Sequence, residues 1–277
     1  MLSALREVPQ ASALMPFVRL WYARESVYVW AAGSQAHRIT QAEGGEQGDP
    51  LMPALFALAF APAFRDLHAD LRPDEQALAF LDDAYILSPP HRALQLYQRF
   101  ERHAFDRAHL CLNPAKTRVW NSAGVHPEGL DSLAPDSDVW VGSRALDSAH
   151  RGFVALGVPL GTPEFVAAFL QALLTKQRVL LDRLLLLADT QVAWLLLSFC
   201  AAPRAQYAPR TLPPADTRAY AAGHDAAVFS CLDALLHADN AFGLRAVAAA
   251  RARLALRHRG LGLRSTERHA VAAYRAS

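Results

Sequence analysis

Gly44-Gly45-Glu46-Gln47-Gly48-Asp49-Pro50-Leu51, followed after a helical stretch by Phe80-Leu81-Asp82-Asp83-Ala84, decides how this 277-residue chain is read. The glycines let a ligand lie against the backbone, and Gln47 supplies a donor and an acceptor at that point. Pro50 suits the first turn of a helix whose N-terminal dipole would favour phosphate or a bound oxygen anion. In the second stretch two carboxylates stand between apolar residues, at the expected tip of a hairpin over 76–87. Neighbouring strand residues point to opposite faces, so Asp82 and Asp83 serve one cation only if the backbone turns between them. Asp82 is then the direct ligand of a hard divalent ion, and Asp83 adds charge or a weaker second ligand. Phe80, Leu81, Tyr85 and Ile86 are expected to anchor the hairpin. Each stretch also has a plainer reading: a polar turn for the aspartates, and a glycine-rich loop with Asp49 as helix N-cap.

Composition narrows the field. With 52% hydrophobic residues the chain can bury a real core. Cys111, Cys200 and Cys231 are odd in number and lack paired spacing, which supports neither a disulfide scaffold nor a zinc cluster and fits a reducing intracellular compartment, cytoplasmic or nuclear. Arg6 and Glu7 fall where a secretory leader would be apolar. The apolar run 192–203 is too short to span a bilayer, so no membrane partner is expected. Net charge is only +2. Its distribution is uneven, because between residue 245 and the end eight arginines face the single acid Glu267. A helix over 244–258 would bury one stripe and turn Arg251, Arg253, Arg257 and Arg259 toward phosphates, or would simply be a solvated face.

Periodicity gives the order of elements. A helix ending near Tyr22 leads into two strands joined at Ala32-Gly33-Ser34. A helix after Pro50 should kink or end at Pro62. The 76–87 hairpin is followed by an amphipathic helix on Leu94, Tyr97, Phe100, Ala104, Phe105 and Ala108. Strand edges at 110–112 and 117–120 flank Asn113-Pro114-Ala115-Lys116, and another strand pair lies within 139–160. Helices over 164–189, 191–201, 215–237 and 244–258 follow. The fold class expected is α+β, with a division near 162 between an α+β part, 1–162, and a mainly helical part, 163–277.

The two opening stretches, in this order and separated by one helix and one strand, resemble the template-grip motif and the metal-binding box of reverse transcriptases. Phe80 stands for the tyrosine common in retroviral enzymes and Leu81 for a small residue, both taken to lie in a hydrophobic strand. Asn113-Pro114-Ala115-Lys116-Thr117 is similar to the family's next motif, whose lysine approaches the departing pyrophosphate. Lys116 and Lys176 are the chain's only lysines. Residues 154–161, Val-Ala-Leu-Gly-Val-Pro-Leu-Gly, resemble the primer-grip hairpin of non-LTR (LINE-like) retrotransposon polymerases, and 260–265 resemble a segment after their thumb helices. The resemblance implies a partial polymerase palm and a thumb-like or connection region. It implies an RNA template, a DNA primer and deoxynucleoside triphosphates as partners, with Mg²⁺ or Mn²⁺ as cofactor. It also implies roles for Asp82, Asp83 and Lys116 in catalysis and for Gly45, Gln47, Gly48, Asp49, Pro50 and Phe80 at the nucleotide or template.

Two-metal nucleotidyl transfer needs carboxylates from two separate strands, and residues 1–48 contain no aspartate. The chain therefore reads as truncated before the family's first catalytic aspartate and inactive by itself. The alternatives are a palm relic that binds RNA or DNA without catalysis, and a retrotransposon-derived fragment without activity. Nothing in the sequence sets the oligomeric state.

Overall fold

The computed structural model describes residues 2–22, 24–33, 35–41, 48–133, 138–237 and 246–277. The chain forms two compact units: Met1–Thr117 with His126–Val139, and Arg118–Val125 with Trp140–Ser277.

In the first unit, α1 (Leu2–Glu7) and α2 (Met15–Tyr22) precede the antiparallel hairpin of β1 (Ser26–Ala32) and β2 (Gln35–Gln41). Gly33 turns it with φ +63°, a conformation that glycine adopts without a Cβ clash. Next come α3 (Met52–Asp70), the hairpin of β3 (Gln76–Phe80) and β4 (Asp83–Leu87), and α4 (Ala93–Ala108). α3 and α4 pack through Phe60, Ala63 and Leu67 against Leu96, Phe100 and Ala104, with Ala77 of β3 closing the layer. The rings of Phe60 and Phe100 meet edge-on at 5.7 Å. A second cluster joins Leu5, Ala11, Val18 and Leu55.

The second unit holds a parallel bridge between Val119 and Trp140, then the hairpin of β5 (Gly152–Ala155) and β6 (Val158–Gly161). Gly152 pairs with Gly161, and a Cβ on Gly152 would stand 2.6 Å from the Leu160 carbonyl oxygen, so the strands meet as closely as they do only with glycine there. Helices α5 (Pro163–Leu184), α6 (Thr190–Leu196), α7 (Tyr207–Thr211), α8 (Pro214–His237), α9 (Ala246–Ala252) and α10 (Thr266–Arg275) complete the unit. α5 buries Leu170, Leu174, Gln177, Leu181 and Leu184 along one stripe, and so contributes to two clusters, one with Leu197, Val228 and Leu232, the other with Ala205, Ala208, Leu212 and Tyr220.

The α+β class stands, with small antiparallel hairpins in place of one continuous sheet among the described residues. Several expectations change. α3 runs through Pro62 to Asp70. Residues 110–112 form no strand, and of 117–120 only Val119 makes a bridge. The buried face of α4 is Leu96, Phe100 and Ala104, leaving Phe105 exposed. The expected 244–258 helix ends at Ala252, where the chain turns so that Leu261 and Leu263 donate to the Ala252 carbonyl. Residue 162 lies within the second unit, where Thr162 caps α5 and its hydroxyl donates to the Ser148 carbonyl at 2.5 Å, tying the 3₁₀ turn 148–150 to the helix.

Candidate active site

Phe80 and Asp83 are opposite partners in the β3–β4 ladder, so Leu81 and Asp82 form the two-residue turn. The tip is thus Leu81-Asp82, while Asp83 opens β4. Leu81 lies in this turn at φ +56°, not in a strand, in the left-handed region that side chains with a Cβ seldom adopt. Both carboxylates are exposed. Phe80 is 60% exposed and Leu81 is exposed too, so neither anchors the hairpin. Ile86 does so as expected, together with Ala77 and Ala84, against the α3–α4 core.

The base of the hairpin is held by a feature that sequence reading missed. Arg92 donates through Nε to Glu75 Oε1 at 2.8 Å and through Nη2 to Oε2 at 3.1 Å, and Nη2 also reaches the Asp70 carbonyl at 3.2 Å. Glu75 accepts a further bond from the Arg72 amide at 2.9 Å. The clamp joins the end of α3, the start of β3 and the start of α4. The Arg92 guanidinium holds the Glu75 carboxyl down at about 2 despite its burial. Neither residue carries a sequence signal, since both are charged residues in polar loops. Nearby, Asp70 accepts from Arg99 and sits 2.8 Å from His103 Nε2, and these partners, His103 first, hold its carboxyl below the usual carboxylate range.

Gly48 has φ +96° with open space where a Cβ would stand, so the backbone conformation itself calls for glycine. Asp49 Oδ2 accepts from the Tyr22 hydroxyl and Oδ1 from the Leu51 amide at 2.8 Å, and both bonds lower its pKa, the tyrosine bond most. Asp49 therefore fastens the start of α3 to α2. Pro50 lies ahead of that helix, and the proline in its first turn is Pro53. Gly44, Gly45, Glu46 and Gln47 lie outside the described residues. Lys116 is exposed at the end of a 3₁₀ turn, with its amide 3.3 Å from Asn113 Oδ1.

The arginines do not share one helix face. Arg251 is in α9, Arg253 lies past its end with its guanidinium carbon 4.5 Å from the Phe229 ring centroid, Arg257 is in a 3₁₀ turn, and Arg259 has φ 57°. Arg253 thus serves packing, while Arg251, Arg257 and Arg259 are exposed.

Among the described residues no group of three or more histidine, cysteine, aspartate or glutamate side chains is placed to hold a metal ion. Two adjacent exposed carboxylates suit one hard cation that keeps waters and phosphate oxygens as its other ligands. They do not by themselves make a two-ion centre.

An α+β unit with Asp82 in a hairpin turn and Asp83 beginning the next strand, after Gly48-Asp49-Pro50 ahead of a helix, has the arrangement of a nucleotidyl-polymerase palm. A family model described as reverse transcriptase (RNA-dependent DNA polymerase) matches residues 6–160, and the chain belongs to that family. No curated protein and no solved structure matches it. Among the described residues no helix is long and apolar enough to cross a membrane.

Proposed function

We propose that this chain is the reverse-transcriptase-like part of a non-LTR, LINE-like retroelement, with residues 1–162 derived from the palm and 163–277 from a thumb-like or connection region, and that by itself it extends no primer. The observation that carries this reading is the exposed pair of Asp82 in the β3–β4 turn and Asp83 at the start of β4, inside the matched segment and without a third acidic ligand among the described residues. The parent reaction joins a primer 3′ hydroxyl to the α-phosphate of a deoxynucleoside triphosphate on an RNA template. Mg²⁺ or Mn²⁺, when bound, would offset the charge that builds at that phosphate. Asp82, with Asp83, would hold the ion, and Lys116 would offer a proton to the departing pyrophosphate. Gly45, Gln47 and Gly48 would back the template. One carboxylate pair where the chemistry needs two separated carboxylates should leave little rate.

A primer-extension assay on a homopolymer RNA template tests this, with no product expected from the chain alone. Mg²⁺-dependent product that disappears in Asp82→Asn would overturn it. A second reading, a nucleic-acid-binding palm without catalysis, is favoured by the exposed Arg251, Arg257 and Arg259 in the basic C-terminal segment. Salt-sensitive RNA binding that survives Asp82→Asn and drops when these three become alanine would support it.

A further inference from the structure

Inside the second unit a groove of about 620 Å³ runs between the segment 198–210 and the segment 262–273. Its size is in the range of ligand sites. Arg210, Arg264 and His269 line it, together with Gln206, and no aspartate or glutamate does. Phe199 also lines it, 75% exposed although aromatic. Phe199 lies in a π-helical turn, Leu197–Ala201, that follows α6; such turns are uncommon and recur at functional sites.

The walls are fixed from behind by two consecutive residues of α8. His224, 1% exposed, places Nε2 3.1 Å from the Ala202 carbonyl oxygen on one wall and Nδ1 2.9 Å from Gln177 Oε1. Asp225, 5% exposed, accepts from Ser265 Oγ at 2.6 Å and from the Thr266 amide at 2.8 Å on the other. Gln177 in turn donates to the Tyr220 hydroxyl at 2.7 Å. A buried acid and a buried imidazole cost stability unless bonded, and here each is bonded to a different wall, so the groove is held open in one shape. Asp225 spends its charge on Ser265 and α10, which leaves the arginines as the charge facing the opening.

We propose that this groove binds single-stranded nucleic acid, with the sugar-phosphate strand against Arg210 and Arg264 and a base stacked on Phe199. Cationic lining without carboxylates matches a polyanion, and an exposed ring beside it matches a flat base; a duplex, whose bases are already stacked, would not use the ring. The inference rests on the reading of the chain as a nucleic-acid-handling protein and assigns it to residues other than Asp82, Asp83, Arg251, Arg257 and Arg259.

The test is fluorescence anisotropy of labelled twelve-nucleotide oligo(U) and oligo(dT) with the full chain, titrated at several salt concentrations, with circular dichroism melts of every variant. Arg210→Gln with Arg264→Gln should weaken binding at least about tenfold and flatten the slope of log K against log salt by one to two, roughly 0.7 per lost phosphate contact. Phe199→Ala should weaken it by about five- to one-hundredfold with the salt slope unchanged, because stacking is not ionic. Equal losses for both oligonucleotides assign the site to the shared strand chemistry, and a larger loss for oligo(U) assigns it to RNA. Binding that ignores these three changes but falls in Arg251→Ala/Arg257→Ala/Arg259→Ala overturns the groove and leaves the nucleic-acid reading intact. No binding by the unaltered chain overturns both.

Discussion

At the residue scale, Leu81 is the most informative position near the candidate site. Two-residue hairpin turns reverse the chain only with positive φ at a central position, which is why glycine, asparagine and aspartate dominate there. Leu81 holds φ +56° with its side chain exposed, so it accepts the strain without burying a leucine in return. Such a conformation costs on the order of 1 kcal/mol or more. Leu81→Gly should therefore raise stability by about 1 kcal/mol in urea unfolding, and a lower midpoint would show that the leucine makes contacts worth more than the strain. Asp49 makes the complementary point. Its residue type marked it as a helix cap or a ligand-site residue, and the Tyr22 hydroxyl with the Leu51 amide assigns its carboxylate to holding α2 and α3 together.

At the scale of elements, the β3–β4 hairpin owes its position to the Glu75–Arg92 clamp at its base. Both side chains are nearly buried, with a two-pronged geometry that a lysine could not supply. Glu75→Gln leaves a buried guanidinium without its counter-charge and should cost about 3–5 kcal/mol. The same contact is acid-sensitive in a defined window. Because the folded pKa lies near 2 against 4.5 ordinarily, its contribution is present above pH 4.5 and is lost as the pH falls from there toward 2. Unfolding free energies at pH 6 and pH 3 should converge between the parent and Glu75→Gln, and a constant gap would reject the assignment. Helix limits were legible where a cap marks them, as at Thr162 and Asp189, and were missed at α10, although Ser265 caps it through the Arg268 amide. The Ala/Arg pattern of 244–258 promised one helix, but Gly260 folds back so that a Cβ there would lie 2.0 Å from the Leu254 carbonyl oxygen, and the chain turns after Ala252.

At the scale of the whole molecule, the two units have separate cores, and the buried titratable groups within them differ. Burial lowers the pKa of His224 from 6.5, with the Ala202 carbonyl and the Asp225 charge opposing. A depressed folded pKa means the unfolded chain binds the proton more readily, so this residue's contribution is present above pH 6.5 and declines as the pH falls below it. The Glu75 clamp is unaffected until pH 4.5. Between pH 7 and pH 5 the second unit should loosen first. Hydrogen exchange, corrected for intrinsic rates, should show α8 amides losing protection while α4 amides keep theirs, and the reverse order would exclude His224 as the sensitive group. His224-Asp225, set between Ala221-Ala222-Gly223 and Ala226-Ala227-Val228 of α8, was a sequence signal for this network, because adjacent polar residues on the buried side of a helix need partners.

The sequence by itself determined the α+β class, the hairpin that carries Asp82 and Asp83, and membership in a polymerase family, because turn chemistry, apolar period and motif order are local and survive without knowledge of neighbours. Tertiary structure alone decided which residue takes the turn, that Glu75 and Arg92 meet, that Phe80 faces outward, and that His224 and Asp225 hold opposite walls of a basic groove. Those facts depend on which side chains distant segments bring within hydrogen-bond reach, and no spacing along the chain encodes that distance.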